Sequence, residues 1–204
     1  MESAQDPPYT NDRHLGAIFF RRVAELGDRT FVRLQRDERF EEISWRCFGA
    51  MVQKVLLALY GIGLAPGERV AIIGENSLQW LCADLATLAG GLPNVVVSPT
   101  LSDVTLLRIL GHSRCRAAFV QNATGVGRLL NLKSQLPELS HLVAMEGTES
   151  DLPESLSFAQ LTERGARVEA ARLFEILESV HGNDLATIRA AGTGEGRLHQ
   201  ARPV

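Results

Sequence analysis

The sequence predicts an α/β domain: a mostly parallel sheet flanked by helices, with a small antiparallel hairpin near the amino terminus. Three observations carry that prediction. From Arg69 to Ile188, short β-rich runs alternate with helix-spaced segments, and parallel neighbours need crossovers of that kind. The runs, among them Arg69-Val70-Ala71-Ile72-Ile73 and His141-Leu142-Val143-Ala144-Met145, are continuously apolar, which suits strands covered on both faces. Ahead of them, Phe31-Val32-Arg33-Leu34 and Phe40-Glu41-Glu42-Ile43 flank a charged turn, Gln35 to Arg39, as the two arms of a hairpin do.

The elements follow in chain order. Residues 1–12 are polar, contain Pro7-Pro8 and are expected to be disordered. Leu15, Ile18, Phe19 and Val23 share one helical face, so a helix is expected from about His14 to Leu26. After the hairpin, Ser44 can cap a helix, because its hydroxyl can accept a bond from a first-turn N–H that has no helical partner. Phe48, Val52, Val55, Leu56 and Leu59 continue that helix, and Gly61 and Gly63 stop it. A strand over Arg69–Ile73 leads to a helix over Asn76–Gly90, with Asn76 as N-cap and Gln79 at capping-box spacing. Pro93–Val97 is the next apolar run and Ser102–Gly111 the next helix. Ala117–Val120 is a strand, Thr124–Leu136 a helix and His141–Met145 a strand. The crossovers should be right-handed. Beyond Gly147 the pattern weakens to one or two amphipathic helices within Ser155–Glu178, and Asp184–Ile188 begins one more strand. Periodicity then disappears, so residues 189–204 are expected to be an irregular, off-pattern tail on a domain of residues 13–188.

Composition narrows the function. A chain of 204 residues can bury one good core. Its formal net charge of −3 provides no field for nucleic acid or an anionic membrane. The stretch Leu81–Val97 is broken by Asp84, Gly90, Gly91, Pro93 and Asn94, too often to span a bilayer. Met1-Glu2-Ser3-Ala4-Gln5-Asp6 lacks the apolar core of a signal peptide. Three cysteines, Cys47, Cys82 and Cys115, show no metal-site spacing and read as buried or half-buried free thiols in a reducing compartment. The expected location is therefore the cytoplasm. Lys54 and Lys133 are the only lysines among the basic residues.

The glycine motifs are mostly structural. Gly61-x-Gly63 with Gly67 runs from helix to strand, whereas a dinucleotide loop runs from strand to helix. Gly125-x-Gly127 follows a strand but has no third glycine. Gly192-Thr193-Gly194-Glu195-Gly196 follows the last strand start. A phosphate cradle needs small residues and a cation, and the cation here would have to be Arg197, since no lysine follows Lys133. A flexible glycine-rich terminus explains that cluster better. His112 and Cys115 lack an orienting acid and do not make a nucleophile–base pair. Trp45 and Trp80 each sit in a first helical turn, as core anchors.

Several segments are specific in combination. They run from Ser44-Trp45 through Leu59-Tyr60-Gly61-Ile62-Gly63-Leu64-Ala65-Pro66-Gly67-Glu68-Arg69-Val70-Ala71-Ile72 to Glu75-Asn76-Ser77-Leu78-Gln79-Trp80. Ala83-Asp84-Leu85-Ala86-Thr87-Leu88-Ala89-Gly90-Gly91 and Val97-Ser98-Pro99-Thr100-Leu101-Ser102 follow. From Leu15 to Ile188 this order resembles the amino-terminal region of the adenylate-forming (AMP-binding) enzymes, and within them the long-chain fatty acyl-CoA synthetases most. The resemblance implies a partial amino-terminal domain of that fold. It also implies a two-step ligase: a fatty acid carboxylate attacks the α-phosphate of ATP, then coenzyme A displaces AMP, with Mg²⁺ and a loop lysine managing phosphate charge.

The family's loop reads Tyr-Thr-Ser-Gly-Thr-Thr-Gly and then Pro-Lys-Gly after a strand matching Asp184–Ile188. This sequence has Arg189-Ala190-Ala191-Gly192-Thr193-Gly194-Glu195-Gly196-Arg197. Gly192, Thr193 and Gly194 are the weak remnant of a phosphate loop; no catalytic residue and no metal ligand is transferable. The expectation is an inactive amino-terminal fragment that binds none of ATP, Mg²⁺ or coenzyme A alone. The tail can come from truncation or a frameshift, from a split gene, or from a short protein with its own binding role. Alternatives of other classes are a non-enzymatic module whose partner chain covers an exposed sheet face, and a flavodoxin-like or Rossmann-like nucleotide binder.

Overall fold

The computed structural model describes residues 14–36, 39–147, 154–190 and 198–201. Helix α1 (Leu15–Leu26) comes first, then the hairpin of β1 (Thr30–Arg36) and β2 (Arg39–Ser44). Its two strands pair antiparallel, with Leu34 opposite Glu41. Next come α2 (Trp45–Gly61), β3 (Arg69–Ile73), α3 (Leu78–Ala89), β4 (Asn94–Val97), α4 (Asp103–Ser113) and β5 (Cys115–Val120). The remainder is α5 (Ala123–Leu132), β6 (His141–Ala144), β7 (Ser155–Ser157), α6 (Phe158–Ala166), α7 (Arg172–Ser179), β8 (Thr187–Ala190) and β9 (Leu198–Ala201).

The main sheet has the order β7-β6-β5-β3-β4-β8-β9. All neighbours are parallel except β8 and β9, which are antiparallel. The strands are short and apolar because side chains alternate between two cores. Val70, Ile72, Ala117, Phe119 and Val143 face α1, α2, α3, α6 and α7. Ala71, Ile73, Val95, Val97, Ala118, Val120, Leu142, Ala144 and Ile188 face α4 and α5. That division is the physical meaning of the uninterrupted apolar runs. Both tryptophans pack against the first core: Trp45 meets the Phe31 ring at 4.4 Å between centroids, while Trp80 lies part-buried at its edge.

Three expectations are corrected locally. The cap of α3 is Ser77, whose hydroxyl accepts from the Trp80 N–H at 3.1 Å. The apolar helix begins at Leu78, so the residue next to it, rather than Asn76, occupies the capping position. The complete capping box is instead Ser157/Gln160, where the side chains and backbone N–H groups bond reciprocally at 3.1 and 2.8 Å. Ser155 opens a strand, not a helix. Cys47 is exposed, and only Cys82 and Cys115 are buried.

The last strand also differs. Asp184 precedes it, in a turn where its Oδ2 accepts the His181 backbone N–H at 2.7 Å. The strand spans Thr187–Ala190, so it continues two residues past Ile188. Residues 198–201 return beside it, with Ile188 opposite Gln200. Part of the tail expected to be irregular therefore supplies an edge strand, whose pairing covers main-chain groups of β8.

Candidate functional site

In an open α/β sheet, ligands bind at the carboxyl ends of strands where successive helices leave to opposite faces. Here that point falls between β3 and β5. The helix after β3, α3, lies on the first core, and the helix after β5, α5, lies on the second. The loops there are tied together by one residue. The Gln121 N–H donates to Ile73 O at 2.8 Å, its side-chain oxygen accepts the Glu75 N–H at 3.3 Å, and its side-chain nitrogen donates to Glu146 at 3.3 Å.

Beside it is a crevice of about 390 Å³, reached by Ile73, Pro99, Val120, Asn122, Gly125 and Arg128. Sequence builds its walls simply. Asn122 caps α5 by accepting the Gly125 N–H at 3.1 Å. A Cβ on Gly125 would come within 2.6 Å of Val120, so helix and strand approach closely because that residue is glycine. Arg128 then closes the wall. Its Nε meets Asp103 at 2.6 Å, its Nη1 donates to Pro99 O at 3.1 Å, and its Nη2 donates to Leu101 O. This clamp fixes the Pro99–Asp103 turn on α5. It was missed in the sequence because nothing in the run Gly125–Arg128 points to a partner 25 residues earlier.

A second hollow, about 340 Å³, lies on the first-core face beyond α3, lined by Trp80, Asp84, Leu88, Val96, Thr187 and Arg189. Asp84 accepts from the Asn94 side-chain nitrogen at 2.6 Å. Burial pushes the Asp84 carboxyl above its usual range, against the pull of Asn94 and Arg189. The Asn94 side-chain oxygen is buried and has no hydrogen-bond partner among the described residues.

The glycine cluster expected to face phosphate, Gly192, Thr193 and Gly194, falls between β8 and β9, outside the described residues. β8 runs parallel to β4, so its carboxyl end shares an edge with the crevice above. The remaining glycines are accounted for. Gly63 and Gly67 have φ of +95° and +82° in the turns after α2, conformations that glycine adopts freely. Gly125 and Gly127 lie within α5. His112 sits exposed in the last turn of α4, while Cys115 is buried in β5, where burial pushes its thiol up to about 12. They are not joined as nucleophile and base. Among the described residues no group of His, Cys, Asp or Glu is placed to hold a metal ion, and no helix is long and apolar enough to cross a membrane.

Comparison with known proteins bears on this arrangement. A family profile described as AMP-binding enzyme matches residues 19–189. A long-chain-fatty-acid–CoA ligase of Mycobacterium bovis, FadD15, is 26% identical over 194 residues, covering 93% of this chain and 31% of the relative. The ligase ACSBG1 of Rattus norvegicus is 24% identical over 185 residues, covering 89% and 25%. Among solved structures, the anthranilate CoA ligase AuaEII in complex with anthranoyl-AMP superimposes with a TM-score of 0.76 at 21% identity, over 93% of this chain and 34% of that one. The A-PCP didomain of carboxylic acid reductase from Segniliparus rugosus, in complex with AMP, gives 0.77 at 15% identity, over 95% and 32%. The chain thus spans a quarter to a third of these relatives.

Proposed function

Because the chain belongs to the AMP-binding enzyme family, we propose that it forms the amino-terminal part of a long-chain fatty acid–CoA ligase scaffold and makes no acyl adenylate alone. The first half is supported by the likeness to long-chain ligases across about nine-tenths of the chain. The observation that carries the second half is the composition of the β8–β9 connection. Residues 191–197 offer one hydroxyl, Thr193, and one cation, Arg197, and no lysine follows Lys133.

Those residues do not fit a triphosphate. Phosphoryl and adenylyl chemistry depends on preorganised donors and cations around developing phosphate charge. Gly192, Thr193 and Gly194 would contribute backbone N–H groups and the one Thr193 hydroxyl, and the single arginine, Arg197, comes with the opposite charge of Glu195 two residues before it in sequence. No reaction step is assigned to this chain through ATP, Mg²⁺ or coenzyme A. Its own part is to present the α/β sheet and the loops at its carboxyl edge. The cytoplasmic location stays part of the reading, supported by three cysteines that are all free thiols.

Fatty-acid-dependent ATP–pyrophosphate exchange by the purified chain tests this. Exchange at the no-enzyme background is expected. Turnover that requires both fatty acid and chain would overturn it.

A second reading is a subunit completed by another chain. The hollow beside Val96, Thr187 and Arg189 favours it, since a fully covered parallel sheet would not leave that face open. Co-expression with the remaining two thirds of a long-chain ligase should then give a complex that co-purifies. Two species that elute separately would remove this reading.

A further inference from the structure

Helix α3 is apolar almost all the way round. Its polar side chains are Gln79, Asp84 and Thr87, and Thr87 is buried with its hydroxyl donated to Ala83 O at 2.9 Å. A helix of this composition is one that packing covers on every side. Here one side is covered: Cys82, Ala83, Ala86 and Ala89 are buried against α1 and α2. The other side carries two ridges at four-residue spacing, Trp80, Asp84 and Leu88 beside Leu81 and Leu85, and all five residues are half-buried.

The sheet beside those ridges is open as well. Val95 and Val97 are buried in the second core. Val96 between them turns to the other face and is half-buried, with Arg189 opposite it on β8. A parallel sheet is ordinarily covered on both faces, and the hollow of about 340 Å³ between α3 and β8 marks where this one is not. Single apolar side chains at a surface need no partner. Here an apolar ridge and the groove next to it run side by side.

Charge indicates the occupant. Asp84 stands on the ridge and Arg189 on the floor of the groove; they attract each other, and among the described residues neither is in an ion pair. A two-fold interface is self-complementary: where residue i meets residue j of the other copy, j meets i. An acidic ridge beside a basic groove satisfies that condition. We propose that two copies of this chain associate through this face, with the α3 ridge of each laid in the groove of the other and each Asp84 set against the partner's Arg189. This is the face that the second reading above gives to another chain, and a second copy fills it with no other component. Nothing in the nucleotide loop is used, so the dimer holds or fails apart from the acyl-adenylate reading.

Sedimentation of the full 204-residue chain over about 1–500 µM tests this. A reversible shift from the chain mass to twice that mass is expected. D84R and R189D each put like charges in contact twice per dimer and should weaken association at least tenfold. Mixing D84R chains with R189D chains should restore it, because both contacts across the two-fold then join opposite charges. An attraction within one chain would not be restored by mixing. Arg189 is exposed, so R189D leaves the core intact. If D84R does not fold, D84N, whose amide oxygen can still accept from Asn94, takes its place and should weaken association several-fold. A chain that stays monomeric across the range would overturn the proposal, even if it bound the remaining two thirds of a ligase. Association unchanged by R189D, variants that stay apart when mixed, or growth past the dimer would overturn it too.

Discussion

Neutral His14 should hold helix α1 onto the body of the domain, so that acid loosens it. The ring is 8% exposed. Its Nδ1 accepts the Ala17 N–H at 3.4 Å, capping α1, and its Nε2 donates to Leu177 O at 3.0 Å, at the end of α7. Both bonds together require the neutral ring protonated at Nε2. Burial lowers the pKa below its ordinary 6.5; the bond to Leu177 and the charge of Asp184 oppose this, and His181 adds to it. The unfolded state therefore binds the proton more readily than the folded one, and stability rises with pH across that interval. The contribution is fully present above 6.5 and is lost as pH falls through the folded value. A hydrogen bond is worth about 1 kcal/mol net, so H14A should cost roughly 2 kcal/mol. At this chain length that is a fall of about 4–8 °C in melting temperature. H14Q can accept and donate in the same way but does not titrate. Melting temperatures of the wild-type chain, H14A and H14Q between pH 5 and 8 form the assay. His141, whose pKa burial also lowers, contributes a slope of the same sign, so the difference between wild type and H14Q isolates His14. An H14Q profile with the wild-type slope would refute the reasoning.

Other consequences follow from packing and chemistry. A Cβ on Gly165 would stand 1.8 Å from the Lys54 carbonyl oxygen, so G165A must push α6 off α2. A loss of about 3 kcal/mol or more, read by chemical denaturation, is expected. F48A removes a ring with 0% exposure that stacks on Phe31 and should cost about 3–5 kcal/mol by the same measurement. In the native chain one thiol, Cys47, should react promptly with a disulfide reagent, while Cys82 and Cys115 wait for unfolding. Three fast thiols would contradict the packing around β5 and α3. If a frameshift produced the tail, translating the gene beyond the Ile188 codon in all three frames will give a Thr-Ser-Gly-Thr-Thr-Gly-like loop in one of them.

The sequence showed the fold more clearly than the sites, for physical reasons. Apolar period and turn glycines are local signals, so α2, β3 and the α/β alternation could be read directly from Phe48, Val52, Val55 and Arg69–Ile73. Caps are less certain at one-residue precision. Asn76 and Ser77 are both good capping residues, and only the start of the helix at Leu78 chooses between them. Long-range polar ties were not visible. Arg128 with Pro99 and Leu101, Gln121 with Glu75 and Glu146, and Arg69 with Ser113 each join residues 25 or more apart. No local pattern announces such pairs. The β9 strand was missed for a related reason. Residues 198–201 carry no apolar alternation, and their pairing with β8 depends on main-chain bonds that any sequence can make.

The central claim is that this chain has the family's α/β scaffold without the groups that hold a nucleotide triphosphate. Calorimetric titration of the purified 204-residue chain with ATP and Mg²⁺ tests it most directly, because binding must precede any adenylation. The account predicts no saturable heat up to millimolar ATP. A saturable, stoichiometric isotherm that is lost when Gly192, Thr193 and Gly194 are replaced would contradict it.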